Sequence, residues 1–185
     1  VIEGDKYFFS MNLRGLYLRG DFGPQVRKAL DYRLANTNEH MHHDAAHLAA
    51  MSKSDFARCK MIEQLDGDVE WSFWPVFGLL EGWGLEDEVA AAALAKVAAW
   101  PAEKLQYVAH HLPQLISDRR ECRRRLLEIA ALPKVARADF LAEGFIRLGI
   151  GAEDEEAVDA ILPHATARRG IFGAEGAVIS AFGAD

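Results

Sequence analysis

Cysteine is scarce in this chain: Cys59 and Cys122 are the only two among 185 residues. Each sits inside a helical pattern and reads as a small buried apolar side chain, not as part of a disulfide framework. That usage points to a reducing, cytoplasmic setting. Long apolar runs are also missing. The nearest, Trp74 to Leu80, is too short for a helical membrane span and contains Pro75. Positive charge is in deficit, with 21 Lys and Arg against 28 Asp and Glu. The resulting net charge of −7 disfavours bulk nucleic-acid binding. The chain has no Gly-x-Ser-x-Gly, His-Glu-x-x-His, Cys-x-x-Cys or dinucleotide fingerprint, and no Gly-Lys-Ser or Gly-Lys-Thr phosphate loop. The expectation is a segment with no catalysis and no cofactor of its own. The start at Val1 and the end at Ala184-Asp185 read as the limits of a piece of a longer protein.

What is present is hydrophobic residue, half of the total, arranged with helical periodicity. Residues 1–23 form a lead-in, read as a short helix or irregular segment, closed by Asp21-Phe22-Gly23. Pro24 suits the first turn of a helix, where its fixed φ is already correct and its missing N–H costs nothing. From there to the end, the pattern predicts helices with short connections and no convincing strand pair. Their predicted positions are near 24–34, 39–51, 55–65, 71–83, 87–100, 101–115, 119–131, 139–148, 158–165 and 177–182. Asn36-Thr37-Asn38, the turn Ser52-Lys53-Ser54-Asp55 and Asp118 supply caps, and Glu86-Asp87-Glu88 places negative charge at a helix start. The inner stripes read as Phe56, Cys59, Met61 and Ile62; Val89, Ala93, Val97 and Trp100; and Leu105, Val108, Leu112 and Leu115. The fold class is therefore all-α, with nine or ten helices pairing as antiparallel hairpins in one domain over 24–185.

The chain also resembles itself. His47-Leu48 followed by Arg58-Cys59-Lys60 is echoed by His111-Leu112 followed by Glu121-Cys122-Arg123. Gly78-Leu79-Leu80-Glu81-Gly82-Trp83-Gly84 is echoed by Glu143-Gly144-Phe145-Ile146-Arg147-Leu148-Gly149. Such stacked hairpins resemble HEAT-type α-solenoid repeats. In texture they are similar to the helical-repeat sensor region C-terminal to the nucleotide switch of bacterial NACHT/STAND-type NTPases. The resemblance spans about Pro24 to Phe182 and implies a module that binds a protein or ligand and relays that event. Phe172, Val178, Ile179 and Phe182 are too apolar for a solvent-facing end cap, so the stack is expected to continue or dock.

Three constellations could carry function. Four of the seven histidines fall between His40 and His47. On a helix, His43 and His47 stand at i and i+4 beside Asp44, a spacing that can chelate a divalent metal such as zinc if a further ligand comes from elsewhere. The alternative to a recognition module is thus a helical metal-binding protein or metalloenzyme centred on His43, Asp44 and His47. The second constellation is the arginine ridge Arg119, Arg120, Arg123, Arg124 and Arg125. There Arg120 and Arg124 could clamp a phosphate or carboxylate, or the ridge could be a solvated face paired to Asp118, Glu121 and Glu128. The third is Trp71, Trp74, Trp83 and Trp100, which read as core, any exposed member being an anchor for a partner. Arg120, Arg123, Arg124 and Trp83 are the expected partner-binding residues, for a protein or peptide and not for nucleic acid or membrane.

Overall fold

A computed structural model describes residues 24–35, 43–66 and 73–166. Its contacts divide the chain into two compact units, Val1–Leu94 and Ala95–Asp185. Every regular element among the described residues is helical. Eight helices among the described residues have eight residues or more. They are α1 (Pro24–Ala35), α2 (His43–Ser52), α3 (Asp55–Gln64), α4 (Phe73–Gly82), α5 (Glu88–Ala95), α6 (Arg119–Ala130), α7 (Ala138–Arg147) and α8 (Glu155–Thr166). The lead-in over 1–23, the caps at Asn36 to Asn38 and the short helix expected over 177–182 lie outside the described residues.

In the first unit α2 packs on α4 and α3, α3 packs on α4, and α1 packs on α3. The α2–α4 crossing is close because its inner faces carry almost no side chain. Ala46, Ala49 and Ala50 on α2 are buried against α4, whose facing positions include Gly78 and Gly82. A Cβ on Gly78 would lie 2.9 Å from the Ala46 carbonyl oxygen and 2.5 Å from Met61 Sδ, and one on Gly82 would lie 2.8 Å from Ala50 Cα. Ser54 caps α3 by accepting from the Ala57 amide at 3.4 Å, and its hydroxyl donates to Asp31 Oδ1 of α1 at 2.9 Å. Asp87 caps α5, with Oδ1 accepting from the Ala90 amide at 2.8 Å.

The second unit repeats this arrangement about 65 residues on. The stretch Gln106–His111 packs on α7, and α6 packs on both α7 and α8. A Cβ on Gly144 of α7 would lie 2.6 Å from the Ala109 carbonyl oxygen and 2.8 Å from Leu126 Cδ2. Ala109, Leu126 and Gly144 thus stand where Ala46, Met61 and Gly78 stand in the first unit. Asp118 caps α6 where Ser54 caps α3, with Oδ1 accepting from the Arg120 amide at 2.9 Å. Asp154 stands N-terminal to α8 as Asp87 does to α5, with Oδ1 accepting from the Ala157 amide at 3.1 Å. Both glycine-bearing helices end on a left-handed glycine, Gly84 at φ 69° and Gly149 at φ 73°. This is the conformation glycine adopts without the Cβ penalty.

Three sequence expectations are corrected. The segment after Pro101 is not one regular helix. It runs as short turns at Ala102–Leu105, Gln106–His111 and Leu112–Leu115, with a non-helical Val108 at φ −129°. Pro113 explains part of this, because it has no N–H to give the Ala109 carbonyl and its ring would crowd that carbonyl. The Ala109 oxygen instead accepts from the Leu112 amide. The apolar stripe survives the break, with Leu105, Val108 and Leu112 buried. In α3 the inner stripe is Ala57, Met61 and Leu65, so Phe56 and Cys59 are exposed. In α5 the Asp87 cap sets the rotation that buries Ala90, Ala93, Leu94 and then Val97, which leaves Val89 51 % exposed.

The two glycine crossings predict an asymmetric response to adding a methyl group. Gly144→Ala must displace backbone at Ala109 and is expected to destabilise the protein by about 1–3 kcal/mol despite the better helix propensity of alanine. At Gly151 a Cβ meets only the movable carboxylate of Glu153. Gly151→Ala is therefore expected to be near neutral, and urea unfolding of both variants checks the contrast.

Candidate functional site

The arginine ridge is positioned by its cap. Asp118 starts α6, and the helical repeat then sends Arg123 toward α8 while Arg120 and Arg124 point outward. Arg123 holds Asp154 in a fork, with Nε donating to Oδ2 at 3.0 Å and a terminal nitrogen donating to Oδ1 at 2.9 Å. The same nitrogen reaches Glu156 at 2.6 Å. These bonds push the Arg123 pKa up, chiefly through Asp154 and then Glu156, and Arg123 in turn holds the Asp154 carboxyl below its ordinary range. Arg124 forks onto Glu121 at 2.7 and 2.6 Å and also bonds Glu128. That hydrogen bond is the main cause of the lowered Glu121 pKa. Arg125 donates to Glu128 at 2.5 Å and to the Trp100 carbonyl. Arg119 donates to the Gly149 carbonyl at 3.1 Å. Arg119 and Arg120 are the two of the five that are exposed with no ion pair among the described residues.

Of the expected partner-binding residues, Arg120 and Arg124 are exposed and adjacent on one face, while Arg123 faces into its own unit. Trp83 is half-buried and belongs to the first unit. Trp100 is buried under the Lys104 ammonium, 3.8 Å from the ring centroid, and Trp74 is half-buried between Phe73 and Phe77. Trp71 lies outside the described residues.

His43, Asp44 and His47 all fall on α2. The side chains of His43 and Asp44 are outside the described set. The His47 ring is half-exposed, and its Nδ1 donates to Glu81 Oε2 of α4 at 2.6 Å. No group of three or more His, Cys, Asp or Glu with the geometry of a metal site occurs among the described residues.

Two features escaped the reading of the sequence. The first is a second arginine staple. Arg58 of α3 donates to Asp87 Oδ2 at 2.5 Å, as Arg123 does to Asp154. The signal for it was present, because Gly82-Trp83-Gly84-Leu85-Glu86-Asp87-Glu88 matches Gly149-Ile150-Gly151-Ala152-Glu153-Asp154-Glu155 at every acidic and glycine position. The second is a ring stack on the buried His110, whose ring lies 4.0 Å from those of half-buried His111 and Phe140, with the Arg137 guanidinium 3.4 Å from the Phe140 ring on α7's N-terminal flank.

Together these features define an all-helical protein with a duplicated scaffold. Beyond that class, no protein-family model, curated protein or solved structure matches the chain. No helix among the described residues is long and apolar enough to cross a membrane.

The two thiols should separate cleanly. Burial, with Glu121 beside it, pushes Cys122 up to about 11, whereas Cys59 is exposed. A thiol reagent at neutral pH is expected to modify Cys59 rapidly and Cys122 only on unfolding, with mass spectrometry of labelled peptides as the readout. The arginines should separate as well. Arg120→Ala is expected to move unfolding stability by no more than about 0.5 kcal/mol. Arg123→Ala, which leaves Asp154 and Glu156 without their cation, is expected to lower the urea midpoint clearly further.

Proposed function

We propose that the chain is a recognition module without catalysis of its own. In this reading its units are HEAT-like helical repeats of an α-solenoid, serving as the sensor segment of a larger cytoplasmic protein. The observation that supports it is which side chains recur. The scaffold pairs recur: Ala46–Gly78 with Ala109–Gly144, and Arg58–Asp87 with Arg123–Asp154. The half-exposed and exposed positions do not. Glu81, bonded to His47, is replaced at the equivalent site by Arg147, and α6 carries an outward Arg120 and Arg124 where α3 carries Asp55 and Cys59. In repeat architectures stability comes from the recurring part, and binding sits where copies differ. Arg120, Arg124 and Trp83 are the residues assigned to a protein or peptide partner, with Arg123 holding α8 on the arginine-bearing helix of the second unit. A partner carrying carboxylates would exchange with Glu121 and Glu128 for the Arg124 fork.

The test is a binding titration with a partner recovered on the intact immobilised chain. Arg120→Ala with Arg124→Ala is expected to weaken binding at least tenfold, about 1.4 kcal/mol, and to make it less salt-dependent. Trp83→Ala should cost a similar factor. Lys134→Ala, on an exposed loop, should cost nothing. Binding indifferent to the arginine pair and to Trp83 alike would sink this reading.

One observation favours a second reading. Glu81 accepts from His47 Nδ1, the kind of orienting carboxylate bond that metal-binding histidines commonly have. A zinc site on His43, Asp44 and His47 predicts stoichiometric zinc uptake by calorimetry that His43→Ala with His47→Ala abolishes. Identical heats for both proteins would remove it.

A further inference from the structure

We propose that the second unit carries an acid-sensitive latch. In it the His110–His111 pair, stacked against Phe140, holds the kinked stretch Gln106–His111 on α7 only while both imidazoles are neutral. This goes beyond the recognition reading and does not depend on it.

The geometry sets the device. His110 is buried at the close crossing of Ala109 and Gly144, where the backbone leaves no slack. Its ring is 4.0 Å from His111 and 4.0 Å from Phe140. The stretch that carries it already departs from helical geometry at Val108. Among the described residues, the charged groups facing the pair come mainly from α7 and its N-terminal flank. Arg137 and Arg147 disfavour an imidazolium, whereas Asp139 and Glu143 favour one. Asp139 is already forked by Arg137, at 3.0 and 2.7 Å. In the adjoining turns, Gln114 bonds His111 Nδ1 at 3.3 Å and the Lys104 ammonium is turned onto Trp100. Burial is the largest influence on both rings. It pushes His110 down to about 3, with His111, Arg147 and Arg137 adding to the effect, and it lowers His111 in the same direction.

The sign follows from linkage. A histidine held below its ordinary value near 6.5 binds its proton more readily in the opened than in the closed state. Between pH 6.5 and 3 the opened state therefore gains about tenfold per pH unit from His110 alone. Above pH 6.5 both states are neutral there, and the latch is indifferent to pH. In the first unit the equivalent ring, His47, is half-exposed and faces a carboxylate, Glu81.

Cys122, buried on α6 of the same unit, reports the opening. The experiment is trapping of Cys122 by a dithiodipyridine reagent in the full chain carrying Cys59→Ser, with rates divided by those of the urea-unfolded protein at each pH. From pH 7.5 to 5.0 the normalised rate is expected to rise about thirty-fold. His110→Phe, which keeps an aromatic ring on Phe140, should flatten the response to less than threefold. A rise below threefold in the parent, or an undiminished rise in His110→Phe, overturns the proposal. If His110→Phe does not fold, the imidazole C2–H resonances of the parent decide. His110 should remain neutral from pH 7.5 to 5.0, and titration of all seven histidines in that range would overturn the latch.

Discussion

The structure depends on one steric constraint, the approach of a helix bearing glycine to the carbonyl edge of its neighbour. At Gly78 and Gly144 the distance left for a Cβ is shorter than real Cβ contacts permit, and the opposing group is backbone that cannot swing aside. Such a crossing brings two helix surfaces together without intervening side chains. The flanking positions then close around it, Met61 and Leu79 in one unit and Leu126 and Phe145 in the other, all fully buried. Close packing of this kind makes an interior sensitive to a single methylene. The same crossing places the His47–Glu81 pair in the first unit and the His110 stack in the second.

A second device recurs with the first. An aspartate caps a helix through one carboxylate oxygen and receives an arginine from the helix two elements earlier. Asp87 does this with Ala90 and Arg58, and Asp154 does it with Ala157 and Arg123. One side chain thereby satisfies orphan amides at a helix start, complements the helix dipole and ties that start to a packed helix. In Asp87 the backbone bond from Ala90 is the largest influence holding its carboxyl low. In Asp154 the arginine is. Arg58 and Arg123 are engaged in these ties, and Glu121 and Glu128 pair with Arg124 and Arg125, so Arg119 and Arg120 are the arginines of the α6 ridge without an ion pair among the described residues.

Much of the fold was legible in the residues. Pro24, Ser54, Asp87 and Asp118 mark helix starts where the structure has them, and Gly84 and Gly149 mark helix ends. The all-helical class follows from the apolar spacing. Rotation about each helix axis was less legible. The pairing of Cys59 with Cys122 suggested one register, but burial follows Ala57 with Cys122 and Met61 with Leu126 instead, because the glycine crossing selects which face turns inward. Val89 was lost to the same cause, since Asp87 rotates α5 through its bond to Ala90. The break at Val108 escaped because a periodic apolar stripe survives a local loss of helix. Of the site residues, Arg120 and Arg124 face outward as an i and i+4 pair should. The commitment of Arg123 to Asp154 could be read only by aligning the two acidic turns.

The central claim is that one helical unit occurs twice, each copy organised on its glycine crossing. Native-state amide exchange at neutral pH tests it most directly. The account predicts that α4 and α7 hold the slowest-exchanging amides of their own units, because each contributes the surface on which its neighbours close. Exchange in α4 or α7 as fast as in the terminal turns of α1 or α8, with protection concentrated elsewhere, would contradict it.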